Sequence, residues 1–237
     1  MRIRTVAFPL LLTLSLLGAN AESDSPEAPA PPEGMAYVPP GPFIMGSNVG
    51  DADEGPQHTA TTKPFFIDTY EVSNAEYEEF DPDYSFKEGY ENHAAKVTWE
   101  QASAFAKHVG KRLPTEEEWE KAARGTDGRV FPWGNSFDNS FISWDESYPR
   151  AASIAKPTSP YGCFDMAGGA WEWTSSWYTP YPGNEVPCEA YGEKYRVMRG
   201  GASFNDKAMM RTTHRYYLPP NTTGGYYTGF RCVKDVE

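Results

Sequence analysis

Three stretches of the chain share one arrangement of polar and apolar positions. Ser73-x-x-Glu76, Thr98-x-x-Gln101 and Thr115-x-x-Glu118 each set a hydroxyl three residues ahead of a carboxylate or carboxamide. This is the capping box that satisfies orphan N–H groups at a helix start. After Thr98, residues Ala102, Phe105, Ala106 and Val109 fall at i, i+3, i+4 and i+7, which predicts one apolar helical face closed by Gly110. After Thr115, residues Trp119, Ala122 and Ala123 point inward and Gly125 ends the helix, while the Ser73 helix runs through Phe80. Alanine on two inner faces predicts close packing against a sheet or between the helices. The strand signals are short: Tyr37-Val38 and Phe43–Gly46 about the Pro39–Pro42 turn, then Phe65–Asp68. From Phe131 onward helical periodicity stops. Phe131–Asn135, Gly162–Tyr178, Arg196–Gly201 and Gly229–Val233 are aromatic or β-branched runs spaced by loops, and the Trp-rich Gly162–Tyr178 run is expected to be neither helix nor regular strand.

The ends are of a different kind. Arg2 and Arg4 precede an apolar run from Val6 to Leu17, and Ala19-Asn20-Ala21 has the small-x-small form of a cleavage site. Residues 1–21 therefore read as a secretory signal peptide, too short to span a bilayer comfortably. The expected product is periplasmic or extracellular, with no stable membrane insertion after cleavage. Residues 22–34, rich in Pro, Ala and Glu, read as a disordered tether. With no fixed-period repeat and no internal linker, residues 35–237 are expected to form one domain and a monomer.

The chain of 237 residues has a net charge of −12, which becomes −14 once Arg2 and Arg4 leave with the signal peptide. Such a charge excludes nucleic acid as the natural partner. A 39% apolar share with 15% aromatics, 21 Gly and 21 Pro predicts a folded, turn-rich protein. Cys163, Cys188 and Cys232 are an odd number, so at most one disulfide can form, and at least one thiol stays free.

Glu172, flanked by Trp171 and Trp173, requires a cation, a metal or hydrogen-bond donors, because a buried carboxylate without a partner is too costly. The Asp51–Gln57 loop holds only a fragment of a calcium-loop pattern and reads as solvated. Arg211, His214, Arg215 and Tyr216 could grip an anionic or aromatic ligand by forked hydrogen bonds and stacking. Against that, Arg211 and Arg215 could be structural, paired to buried carboxylates such as Glu172. His214 is a candidate base or metal ligand, although a single histidine is more often packing. Ser203 with His214 and an Asp has no nucleophile-elbow motif to support a hydrolase triad.

Met45-Gly46-Ser47, Ile67–Asn74, Lys111–Glu120, Phe131–Asn135, Trp171–Thr174, Arg199-Gly200-Gly201 and Gly229-Phe230-Arg231 together resemble the sulfatase-modifying-factor family, founded on the formylglycine-generating enzyme. The resemblance spans nearly the whole mature chain. It implies an α+β, irregular and loop-rich C-type-lectin-like fold in a single domain. The family's enzymes bind copper(I) through two cysteines that follow a Gly-Gly-Ser-aromatic turn. In this chain those positions read Asp206 and Arg211, so copper is not expected. The resemblance also implies a calcium site, to which Asp165 and Glu172 could contribute, and a groove lined by Trp133, Arg199, Arg211, His214, Arg215 and Tyr216. Cys232 matches a family cysteine usually held in a disulfide whose partner position is Ala106 here. The expected function is an exported accessory domain that binds a protein or small-molecule ligand, or assists maturation, without the oxidase activity. Two alternatives stand beside it: a divergent extracytoplasmic oxidoreductase of the siderophore-chromophore-maturation kind, using a metal with Asp206 or His214, and, more distantly, an active formylglycine-generating enzyme.

Overall fold

The computed structural model describes residues 28–142, 159–223 and 227–236; the expected signal peptide and the first part of the tether lie outside the described residues. No helix among the described residues is long and apolar enough to cross a membrane.

The three capping boxes form as expected. Helix α1 spans Asn74–Phe80, α2 Trp99–His108 and α3 Glu116–Arg124, with Ser73, Thr98 and Thr115 each accepting from the backbone N–H three residues on. Ser73→Ala is expected to cost about 1 kcal/mol, because Glu76 also accepts from the Ser73 backbone and hydroxyl; urea denaturation would measure it, and no change in midpoint would refute it. Ala102, Ala106, Ala122 and Ala123 are completely buried. Val109, assigned above to the apolar face, is instead 42% exposed, because it is the residue at which α2 ends.

The described strands are β1 (Met35–Val38), β2 (Gly41–Met45), β3 (His58–Thr62), β4 (Phe65–Asp68), β5 (Trp171–Trp177), β6 (Arg196–Arg199), β7 (Tyr216–Leu218), β8 (Thr228–Gly229) and β9 (Val233–Asp235). They form sheets of order β1-β4-β9, β2-β3 and β7-β6-β5-β8. The first two strands do not make a hairpin across the Pro-rich turn. β1 pairs with β4 and β2 with β3, so the turn carries the chain from one sheet to another.

The larger correction concerns the Trp-rich run. Its second half is the regular strand β5, in the interior of the four-stranded sheet, antiparallel to β6 and parallel to β8. Indole rings suit a pleated, buried surface, and a register irregularity between Trp173 and Trp177 takes up the crowding. The Trp173 indole donates to Val97 O at 3.0 Å. The Arg196 guanidinium lies over the Trp99 and Trp177 rings, 3.8 and 3.4 Å from their centroids.

Two clusters are the largest of the four in the buried apolar core. One joins α1 and α2 to Trp171, Trp173, Phe230 and Cys232, and includes Ala106, so the two positions of the family disulfide share one cluster. The other joins α3 to β1, β4 and β9. All three cysteines are free thiols.

Candidate functional site

Helix α3 is buried on nearly every side, yet Glu116, Glu120, Lys121 and Arg124 are among its buried residues. Such charges persist only when paired and hydrogen-bonded. Lys121 donates to Pro39 O, Gly41 O and the Thr62 hydroxyl. Glu120 accepts from Gly46 N at 2.8 Å, Arg124 at 2.8 Å and Arg199. Glu116 accepts from Arg199 at 3.1 Å, from both sides of Arg215 at 2.7 and 2.9 Å, and from the Tyr181 hydroxyl. Burial pushes the Glu116 carboxyl up, but Arg215 and Arg199 outweigh it and hold it below its ordinary value. Arg199 and Arg215, expected at a ligand groove, are thus buried inside this network. Arg215 pairs with Glu116 rather than Glu172.

Glu172 belongs to a second network. Arg231 grips it with two bonds of 2.7 Å, and the Trp119 indole donates to it at 2.8 Å. Arg231 also donates to Asp68 O, Thr69 O and Phe164 O. Glu71 lies 3.6 Å from the same guanidinium. Burial pushes the Glu71 carboxyl up to about 8, Arg231 opposes this, and Glu172 and Asp165 add to it. Gly169 admits this crowding, since a Cβ there would meet Glu71 Oε1 at 2.8 Å and Asp165 at 2.9 Å. Glu71 also lines a cavity of about 540 Å³ bordered by α1 and the end of α2, with Asp68, Glu79, Phe80 and Phe105.

The third cluster joins the acidic loop to the C-terminal run. Residues Ala52–Glu54 form a 3-10 turn, and Glu54 is completely buried rather than solvated. Glu54 Oε2 accepts from the Thr213 hydroxyl at 2.5 Å, and Oε1 accepts from Arg211. Burial raises this carboxyl, but His214, Arg211 and Thr213 together hold it well below the usual carboxylate range. His214 Nδ1 lies 3.2 Å from Asp51 Oδ2 and 3.4 Å from Glu54 Oε1. Asp53 accepts from the Tyr178 hydroxyl at 2.7 Å, and its carbonyl accepts from Arg215. Tyr216 packs on Trp171, as does the His214 ring.

The remaining candidates fall elsewhere. Asp206 caps the 3-10 turn Lys207–Met210 by accepting from Ala208 N. Gly201, at φ 69°, lets the chain pass where a Cβ would meet Met209 O at 2.6 Å. Ser203 is buried, and no hydrogen bond joins it to His214 among those described. Trp133 stacks between Phe131 and Phe141 in a separate aromatic cluster.

Neither family metal fits these residues. A guanidinium paired with Glu54 and a carboxylate capping a turn offer no soft donors for copper(I). The buried thiols do not substitute: burial pushes Cys163 up to about 11 and Cys232 well above its ordinary value, so both stay protonated. At the calcium pair, both Glu172 oxygens already accept from Arg231 or Trp119. The guanidinium supplies the charge that balances Glu172.

The family profile described as "Sulfatase-modifying factor enzyme 1-like domain" matches residues 21–236. The chain belongs to this family. It is 30% identical over 300 residues to the inactive C-alpha-formylglycine-generating enzyme 2 of Bos taurus, covering 95% of each chain. It is 32% identical over 238 residues to the serine/threonine-protein kinase pkn1 of Chlamydia caviae, covering 86% of this chain and 38% of the kinase, so it spans well under half of that relative's length. Among solved structures, PvdO from Pseudomonas aeruginosa superposes with a TM-score of 0.62 at 21% identity, covering 85% of this chain and 94% of that one. That likeness supports the single-domain α+β fold of the sulfatase-modifying-factor family read from the sequence.

Sequence reasoning missed Glu54, Glu71, Glu116 and Glu120. For Glu116 and Glu120 a signal existed: they fall at i and i+4 on a helix that already had an apolar face, and Arg124 continues the same row.

Proposed function

We propose that this sulfatase-modifying-factor domain is exported and acts as a binding or maturation accessory module without copper-dependent formylglycine formation. The observation that carries this reading is Arg211. It stands at the second thiol position of the family and is held by Glu54 and Asp51. Exposed apolar side chains that a ligand or partner could cover include Phe204, Met209 and Tyr216, at 60%, 39% and 41% exposure.

The test is incubation of the purified mature protein with cuprous ion, oxygen and a cysteine peptide of sulfatase type. No aldehyde is expected by mass spectrometry. Stoichiometric copper with turnover would overturn the reading. The divergent oxidoreductase remains the second reading, favoured by the imidazole of His214 set between two carboxylates.

A further inference from the structure

The Asp51, Glu54 and His214 side chains converge from two distant stretches of the chain, and each offers one ligand atom within 4.8 Å of the others. The edges of 3.2 and 3.4 Å from His214 Nδ1 to the two carboxylate oxygens match the spacing of ligands around a tetrahedral ion. With metal bonds of about 2.0–2.1 Å that spacing is about 3.3 Å. The Nδ1 atom is buried and stands 3.2 and 3.4 Å from the two oxygens without an aligned hydrogen bond to either among the described residues. In the tautomer that carries its proton on Nε2, this nitrogen has a lone pair to offer a cation seated between the two carboxylates.

We propose that Asp51, Glu54 and His214 form a binding site for a zinc-type divalent ion, and that Arg211 occupies it in the metal-free protein. The ligand types decide the class of ion. An imidazole nitrogen with two carboxylate oxygens selects a borderline ion such as Zn²⁺ over Ca²⁺, which prefers oxygen alone, and over copper(I), which prefers sulfur. Glu54 is oriented for the task, because the Thr213 hydroxyl holds Oε2 and turns Oε1 toward His214. Arg211 Nη2 contacts the same Glu54 and Asp51 oxygens that the ion would take. Its side chain is 20% exposed and its Nε has no hydrogen-bond partner among the described residues, so it can swing out as the ion enters. The exchange replaces a single positive charge between two carboxylates by a double one, which matches them fully. Three protein ligands leave a fourth position for water on the side of Asp51, whose side chain is 62% exposed. This site does not depend on the binding reading above, and its test does not involve the cysteine peptide.

The experiment is calorimetric titration of the chelator-treated mature protein with ZnCl₂ alone, paired with the absorption spectrum of the Co²⁺ form. One equivalent is expected at a Kd of about 1 µM or tighter, with the visible bands of four-coordinate cobalt. His214→Ala is expected to weaken binding at least about tenfold, while its unfolding midpoint in chelator shows that it folds. Arg211→Ala, which removes the competing cation, is expected to tighten binding about tenfold, with Arg211→Gln as a second variant should the first be unstable. The proposal fails if wild type shows no saturable equivalent, if a folded His214→Ala binds zinc as well as wild type, if the cobalt spectrum is six-coordinate, or if neither Arg211 variant binds more tightly.

Discussion

Glu172→Ala is expected to destabilise the domain by about 3–5 kcal/mol at pH 7, among the largest effects of any single change in this chain. The cost comes from the partner left behind. Arg231 is completely buried and has its guanidinium anchored to three backbone carbonyls, so it cannot retreat to water when the carboxylate is removed. The Trp119 indole N–H, deep against the sheet, loses its acceptor at the same time. Glu71, 3.6 Å from Arg231, then becomes the nearest counter-charge, and its carboxyl should ionise more readily once the repulsion from Glu172 is gone. The effects of Glu172→Ala and Glu71→Gln should therefore be non-additive, with the double variant worse than the sum. Urea denaturation of the single and double variants measures both statements. A loss below about 1 kcal/mol for Glu172→Ala would show that water or Glu71 compensates fully, and the structural role given to this ion pair would be wrong.

Wild type is expected to lose stability relative to Glu71→Gln as pH rises from about 4.5 to 8. The sign follows from the direction of the shift. The folded carboxyl is raised from 4.5 to about 8 by burial, against Arg231 and with help from Glu172 and Asp165. Between those values the folded state keeps a proton that the unfolded chain has released, so each step upward in pH favours unfolding. Below pH 4.5 both states are protonated and the two proteins should behave alike. At pH 8 the glutamine variant, which has no charge to bury, should be more stable by roughly 1–3 kcal/mol. Taking the difference between the two proteins cancels other groups such as Glu54 and Glu116, whose lowered values make stability fall at acid pH instead. Denaturation midpoints collected across pH 4 to 8.5 make the comparison, and parallel curves would rule out the shifted carboxyl.

These effects arise from residues that were unequally legible in the sequence. Glu172 could be read as a buried carboxylate in need of a cation because two indoles flank it, but nothing local named Arg231, which lies 59 positions away. Arg215 was read as either ligand-binding or structural. Its partner proved to be Glu116, a residue that looks like an ordinary acidic first turn of a helix. The acidic 51–57 loop looked solvated for a sound reason, since polar, Gly-containing segments usually face water. It is drawn in because Arg211 and Thr213 supply donors at the spacing Glu54 requires, with the His214 imidazole 3.4 Å away. Local propensity gives no strand for the Trp-rich run, yet Trp171–Trp177 is one. A strand flanked on both sides in a sheet can hold indole after indole, and the flanking strands come from elsewhere in the chain.

The sequence by itself determined the three helices and their capped starts, the alanine faces that pack them, the likeness to the sulfatase-modifying-factor family and the replacement of its thiol pair by Asp206 and Arg211. All of these rest on contacts between residues a few positions apart, or on residue identity at a motif. Only the tertiary structure decided which charge meets which: Glu116 and Glu120 with Arg199, Arg215 and Arg124, Glu172 with Arg231, and Glu54 and Asp51 with Arg211 and His214. Most of these pairings join residues from distant parts of the chain, and a buried charge accepts whichever partner the fold brings within about 3 Å, so composition and spacing carry little record of the choice.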